Sequence, residues 1–402
     1  MFSPRVGFAW DITGDSRWKA YGGWGNYFDI AKLELPRGLF GAEKQITYYH
    51  TLDTFNWSAI QCGYPPTPGP NCPGTYIEQV DFRHPANARD NPLVDPNLKP
   101  VQAQEFSLGL DHELSRSVSV GARYVHKWMF RTFEDTGVQV PGVGEVFRIT
   151  NPGEGLGENV LRDFAGCTTC PDQPKPKRVY DAVELRLRKR LSDRWSMTTS
   201  YTWSRLFGNY SGLASSDEAG RTSPNVNRFF DGRYNSFDAR GQAVFGLLGT
   251  DRPHAWKVSG TYDLPWDTTI GSNFIVESGT PLQTQMSEKS IPFYPFGRGD
   301  LGRTPIYSQT DLLLQHDFKT GGNRRVQTEV NVLNLFDQDA RLAYQLTPYR
   351  DTFNITDQAF FAGFDPVALA AATPSIRADP RFRLPNSWQT RRSIRLSMRV
   401  EF

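Results

Sequence analysis

The chain reads as all-β, an antiparallel transmembrane β-barrel with long extracellular loops. Three observations predict it: amphipathic strands recur from end to end, short turns alternate with long connections, and the closing strand ends on the aromatic Phe402. In that strand Ile394, Leu396, Met398, Val400 and Phe402 share one face, because successive side chains point to opposite sides. Ser393, Arg395, Ser397, Arg399 and Glu401 share the other. About ten residues, apolar on one side and charged on the other, fit a tilted span of a bilayer barrel. A strand of a soluble β-sandwich carries the same pattern, so the other segments have to decide.

The same alternation places Val6, Phe8, Trp10 and Ile12 on one face, then Phe106, Leu108 and Leu110, then Val183, Leu185 and Leu187. It continues through Trp195, Met197, Tyr201 and Trp203, Trp256 with Val258, Leu312 with Leu314, and Val326 with Val330 and Val332. Spans are expected at 4–12, 17–28, 103–114, 117–128, 179–190, 194–206, 253–264, 268–279, 309–318, 324–336 and 391–402. Turn residues close the segments 13–16, 115–117, 192–194, 265–268 and 319–323. Between these turns run long connections near 29–101, 129–177, 208–252, 280–307 and 337–390. Compact soluble domains rarely carry loops beyond about 15 residues, whereas outer-membrane barrels pair short periplasmic turns with long extracellular loops. Counting back from a periplasmic Phe402 puts residue 1 on the extracellular side. Bacterial single-chain barrels have even strand counts, so an odd count of about eleven implies that strands are missing.

Composition bounds the alternatives. The hydrophobic fraction is 38% and mean hydropathy is −0.51. No run approaches the roughly 18 apolar residues of a membrane-spanning helix, but a barrel dilutes its hydropathy with inward polar residues. With 45 basic and 43 acidic residues, the formal charge of +2 gives no reason to expect nucleic acid. The first residues show no charged and apolar leader, so either the chain stays in the cytosol or its true N-terminus lies upstream. Cys62 with Cys72 and Cys167 with Cys170 form two close pairs in Gly/Pro-rich stretches, which reads as two local disulfides in an oxidising compartment. Zinc is the weaker alternative, because Cys62 and Cys72 lack the tight spacing of a zinc knuckle. A redox Cys-x-x-Cys lacks its βαβ setting here.

Other motifs carry less. The six histidines (His50, His84, His112, His126, His254, His316) form no ligand cluster, so no metal is expected. Arg298-Gly299-Asp300 reads as a glycine bend before an adhesion tripeptide. Trp195, Tyr201, Trp203, Trp256, Tyr262 and Trp266 suit the bilayer interface. Carbohydrate stacking is open to the loop aromatics Tyr48, Tyr49, Phe55 and Trp57. Pro366 to Ala372 is compatible with a short helix. Nothing matches a phosphate loop, a dinucleotide fingerprint or a nucleophile elbow, so neither enzyme activity nor a cofactor is expected.

Several segments resemble TonB-dependent outer-membrane receptors, in particular the Oar-like branch with its N-terminal carboxypeptidase-regulatory-like domain. Ser3-Pro4-Arg5-Val6-Gly7-Phe8-Ala9-Trp10 followed by Gly22-Gly23-Trp24-Gly25-Asn26-Tyr27-Phe28-Asp29 is similar to a strand pair of that family. Asn97-Leu98-Lys99-Pro100 with Gln104 to Gly109, Tyr180 to Leu185, Arg252-Pro253-His254, Tyr262 to Pro265 and Asn331 to Asp337 are similar to further strands. Leu396, Met398, Val400 and Phe402 resemble the signal read by the barrel-assembly machinery. The resemblance implies a barrel of 22 strands in a Gram-negative outer membrane, with residues 1–402 as its C-terminal part. It places the plug, the TonB-binding segment, the early strands and the signal peptide outside this sequence. The intact protein would then import a large scarce solute such as a siderophore or oligosaccharide, driven by the TonB complex. Glu184, Arg186, Arg188, Gln315, Asp317, Glu329, Asn331, Arg395 and Arg399 would line the lumen, for hydration and plug docking before substrate contact. The alternatives are a surface adhesion or structural protein without transport, or a small self-associated porin, which odd parity disfavours.

Overall fold

The computed structural model describes residues 2–28, 46–51, 56, 75–81, 94–140, 144–210, 233–319 and 325–402. Eleven long strands form one antiparallel sheet: β1 (Arg5–Asp11), β2 (Trp18–Phe28), β3 (Gln102–Ser115), β4 (Val118–Arg131), β5 (Arg178–Ser192), β6 (Trp195–Gly208), β7 (His254–Leu264), β8 (Thr268–Glu277), β9 (Tyr307–Lys319), β10 (Arg325–Leu333) and β11 (Ser393–Glu401). Their order in the sheet is their order in the chain, and Gly246–Leu247 adds a short pairing to β6. All eleven expected spans are present, with ends displaced by about three residues at most. Among the described residues β1 and β11 are the two edges of the sheet, which does not close on itself.

Local chemistry explains the short turns. Between β5 and β6, Asp193 and Arg194 both adopt left-handed conformations (φ 52° and 68°), the geometry that matches a two-residue hairpin to strand twist. After β1, the Asp11 carboxylate accepts from the Gly14 and Ser16 amides at 3.0 and 2.8 Å. Gly14 there takes φ 73°, which glycine adopts without steric cost.

The register tilts the strands. One perpendicular row runs Asp11, Lys19, Asp111, Gly121, Arg186, Ser200, Lys257, Ile275, Gln309. Asp11 is the last residue of β1, but Gln309 lies near the start of β9, which ends at Lys319. That climb is about 33 Å across about 38 Å of sheet, a tilt of roughly 40°. Such shear is what barrel closure demands.

The apolar face of the sheet is exposed rather than packed: Val6 is 70% accessible, Leu185 48%, Trp203 55% and Leu396 76%. A β-sandwich would bury these positions against a second sheet. The soluble alternative therefore fails on burial. The buried apolar clusters lie instead mainly among the described residues of the long connections. They contain the hairpins Ile46–His50/Tyr76–Asp81, Glu134–Val140/Gly144–Thr150, Met286–Glu288/Ile291–Phe293 and Arg341–Tyr344/Pro385–Trp388. They also carry helices α1 (Val160–Ala165), α2 (Asp357–Ala362) and α3 (Pro366–Ala372). Helix α3 occupies the expected stretch, with Pro366 in its first turn and the Asp365 carboxylate accepting from the Val367 and Ala368 amides.

Candidate functional site

Two regions carry polar chemistry: the polar face of the sheet and the loop cluster above it. On the polar face, charges meet across neighbouring strands. Arg123 donates to Glu184 at 2.9 and 2.6 Å, and Lys127 pairs with Glu105 at 2.9 Å. Arg186 reaches Asp111 at 3.2 Å across an intervening strand. That reach depends on Gly121, since a Cβ there would collide with the Asp111 carboxylate. Asp111, Gly121, Arg123, Glu184 and Arg186, with Tyr21 and Lys257, border a depression of about 480 Å³ spanning β2 to β7. Exposed pairs of this kind contribute about 1 kcal/mol or less, so they balance the charge of this face more than they stabilise it.

The remaining sequence-predicted wall residues lie apart from that depression. Arg188 faces Thr198 and Ser119 one row closer to the short turns. Asp317 accepts from Arg325 and, at 3.0 Å, from Gln327, while Glu329 accepts from Ser397 at 3.0 Å. Gln315 is in register with Glu329, Asn331 with Arg395, and Arg399 with Gln327. Every one of them shares the polar face; Arg188 follows Arg186 on β5, and the others are separated by several strands from Glu184 and Arg186. The opposite face carries an apolar groove of about 520 Å³ bordered by Leu110, Val120, Leu185, Leu187, Tyr201 and Trp256. Leu396, Met398 and Val400 continue that face on β11, and Phe402 is 98% exposed.

The loop cluster joins connections far apart in sequence. Tyr234, Phe237, Met286, Phe293, Phe353 and Phe360 form its core, with Phe361 and Phe364 against them. Each buried aromatic removes a side chain worth about 1.5–3 kcal/mol from water, which makes this the main apolar store of the described chain. Polar groups are trapped with it. Arg233 is buried between the Phe237 and Phe361 rings (4.9 and 5.6 Å) and donates to Gln173 at 2.7 Å. Burial pulls its guanidinium down to about 9. Burial, then the bond to Asp357, pushes the Tyr234 phenol up. Lys289 bridges Asp357 at 2.6 Å and the Tyr234 hydroxyl at 3.0 Å. Glu288 is fully buried; one oxygen accepts the Ile355 amide at 3.0 Å and the other has no partner among the described residues. Burial raises its carboxyl to about 7. None of these groups was visible in the sequence, because each is buried by residues from other connections.

The flagged motifs take structural places. Cys167 and Cys170 form a disulfide beneath α1, packed with Val160 and Leu161. Cys62 and Cys72 lie outside the described residues, as do Phe55 and Trp57. In the tripeptide, Asp300 accepts from the Thr284 amide and hydroxyl at 2.8 and 2.6 Å, and Arg298 lies over the Tyr294 ring. That carboxylate is therefore engaged inside the loop cluster. No group of His, Cys, Asp and Glu among the described residues could hold a metal ion.

A sheet of sequential tilted strands, apolar outward and charge-paired on the other face, is the wall of a transmembrane β-barrel. The chain belongs to the outer membrane beta barrel domain family, which matches residues 1–279, and it is an outer-membrane protein. It is 26% identical over 441 residues to the TonB-dependent transporter Oar of Myxococcus xanthus, covering 100% of this chain and 39% of that protein. The chain thus spans about two fifths of the length of that relative. Among solved structures, the outer membrane transporter YddB from Escherichia coli superposes with a TM-score of 0.50 at 11% identity. That match covers 85% of this chain and 38% of the other, a likeness of fold.

Proposed function

We propose that residues 1–402 form the C-terminal part of the barrel wall of a TonB-dependent transporter. In this reading the free edges of β1 and β11 are completed by earlier strands of the same polypeptide, giving an even barrel. The polar face lines the lumen, where its paired charges stay hydrated and dock a plug. TonB engages the plug from the periplasm, the barrel-assembly machinery reads the β11 terminus, and a large scarce solute enters through the loop cluster. We assign the chain no catalysis. The observation that carries the reading is similarity along the whole chain to a TonB-dependent transporter, laid on a sheet with one exposed apolar face and one charge-paired face.

The test is binding of the intact, purified protein to the periplasmic domain of TonB. Saturable binding supports energy-coupled transport. Absence of binding to the correctly folded protein rejects it and leaves a surface or structural role.

A further inference from the structure

The groove on the apolar face of the sheet leads to a cationic rim. It crosses β2 to β7 and climbs with the register. Its low end is at Trp18 and His112, beside the short turns, and its high end at Tyr201 and Trp256, below the long connections. Side-chain size makes its depth. Leu110, Ala122, Leu185, Tyr201 and Trp256 are in register in one row; His112, Val120, Leu187 and Thr199 form the next. Ala122 and Thr199 are small, so they leave a trough between larger neighbours. The two ends are fastened. Trp18 stacks on His112 at 3.8 Å, while the Trp256 indole donates to the Thr199 hydroxyl at 2.8 Å and meets Phe274 edge-on at 5.6 Å.

Polar groups begin where the trough ends. Trp203 and His254 stand in register one row closer to the long connections, and the Tyr201 hydroxyl meets His254 Nδ1 at 2.7 Å. In the row beyond, His126, Asp181 and Arg205 are in register on β4, β5 and β6. The Asp181 carboxylate is engaged locally, accepting from the Tyr124 hydroxyl at 2.7 Å and meeting His126 Nδ1 at 2.6 Å. Arg205 and Lys177 are both exposed, and both lie over the Phe207 ring, at 4.7 and 5.7 Å. Neither forms an ion pair among the described residues, so the rim sets two positive charges against one carboxylate.

Unpaired cations are costly beside hydrocarbon but favourable among anionic headgroups, and a guanidinium fork matches phosphate geometry. The trough next to them is apolar and has fixed walls. A soluble anion would leave the trough unused, and a zwitterionic lipid brings its own cation to a rim already positive. One molecule with an anionic head and hydrocarbon chains satisfies both features.

We propose that this face holds a phosphorylated, acylated lipid of the outer leaflet, its phosphate between Arg205 and Lys177 and an acyl chain in the trough. The assignment rests on the barrel-wall reading, which puts the long connections outside the cell, and is independent of transport. Unlike the exchangeable lipid around any barrel, this one is selected by the charge of its head.

The experiment titrates the intact protein, purified in detergent, with bisphosphorylated lipid A or with phosphatidylethanolamine and reads bound lipid by native mass spectrometry. Wild type should retain lipid A about tenfold or more tightly than phosphatidylethanolamine. Arg205→Gln combined with Lys177→Gln should abolish that preference. Ala122→Trp, which fills the trough from the lipid side, should weaken lipid A binding about tenfold. Arg116→Gln, which removes an exposed cation from a short turn, should bind as wild type. Heat-modifiable migration verifies the fold of each variant. Equal retention of the two lipids by wild type, or undiminished preference in the double variant, overturns the proposal. Ala122→Trp binding as wild type overturns the acyl seat and leaves a site for free phosphate. An intact protein that fails to enter bilayers rejects the barrel wall itself, whereas entry without preference for lipid A rejects the lipid site alone.

Discussion

Replacing Glu288 by Gln tests whether the loop cluster is tuned by pH. In the closed cluster the carboxyl sits at about 7 through burial, against an ordinary value of 4.5 once the hairpin opens and hydrates it. Lys289 and Asp357 face it with opposite signs, and Tyr234 lies beside the same pair. Below about pH 4.5 the group is protonated in both states and costs nothing. As pH rises toward 7 the open state loses its proton first, so closure weakens, and above 7 the full cost of about 3 kcal/mol is present. The glutamine of Glu288→Gln cannot ionise and can still accept from Ile355, although its amide adds a buried donor worth about 1–3 kcal/mol if unpaired. Amide hydrogen exchange at Lys289 and Phe353, corrected for intrinsic rates and followed from about pH 5 to 8, reads the opening free energy. Wild type should lose stability at up to about 1.4 kcal/mol per pH unit, and Glu288→Gln should be flat. An equal slope in both proteins would refute the argument, as would a flat wild type.

Arg at Leu185 or Leu396, both mid-strand on the exposed apolar face, should cost about 2–4 kcal/mol in lipid. The same change at Ser200, on the polar face, should be mild; equal costs in bilayer refolding titrations would mean the faces are reversed. Deleting Phe402, or replacing it with a charged residue, should block membrane assembly of the intact protein, read by heat-modifiable gel migration. Gly121→Val should displace Asp111 and break its contact with Arg186 while leaving the fold intact, because the obstructing atom ends a side chain. Ion conductance should then shift with little change in melting; unaltered conductance would argue against a role for this pair on the water-filled side. Phe293→Ala should cost the loop cluster about 3–5 kcal/mol, measured by exchange in the Ile291–Phe293 hairpin, without loosening β8 or β9.

The sequence by itself determined what depends on near neighbours. Strand positions, the face of each residue, the turns at 192–194 and 13–16 and the helix at 366–372 are all set within a few residues. A strand alternates by geometry, Asp11 reaches its own turn, and Asp365 caps the helix it precedes. Tertiary structure decided which amphipathic face goes unpacked, since an isolated strand of a sandwich and of a barrel look alike. It also decided the strand tilt, which accumulates from one register to the next. Asp111 and Arg186 are 75 residues apart, and only Gly121 between their strands lets them touch. The long connections were legible as connections but not as a packed cluster, because Tyr234, Phe293 and Phe360 come from three of them. Burial is a property of that assembly. It converts Glu288 from an ordinary surface carboxylate into a group whose carboxyl is raised to about 7.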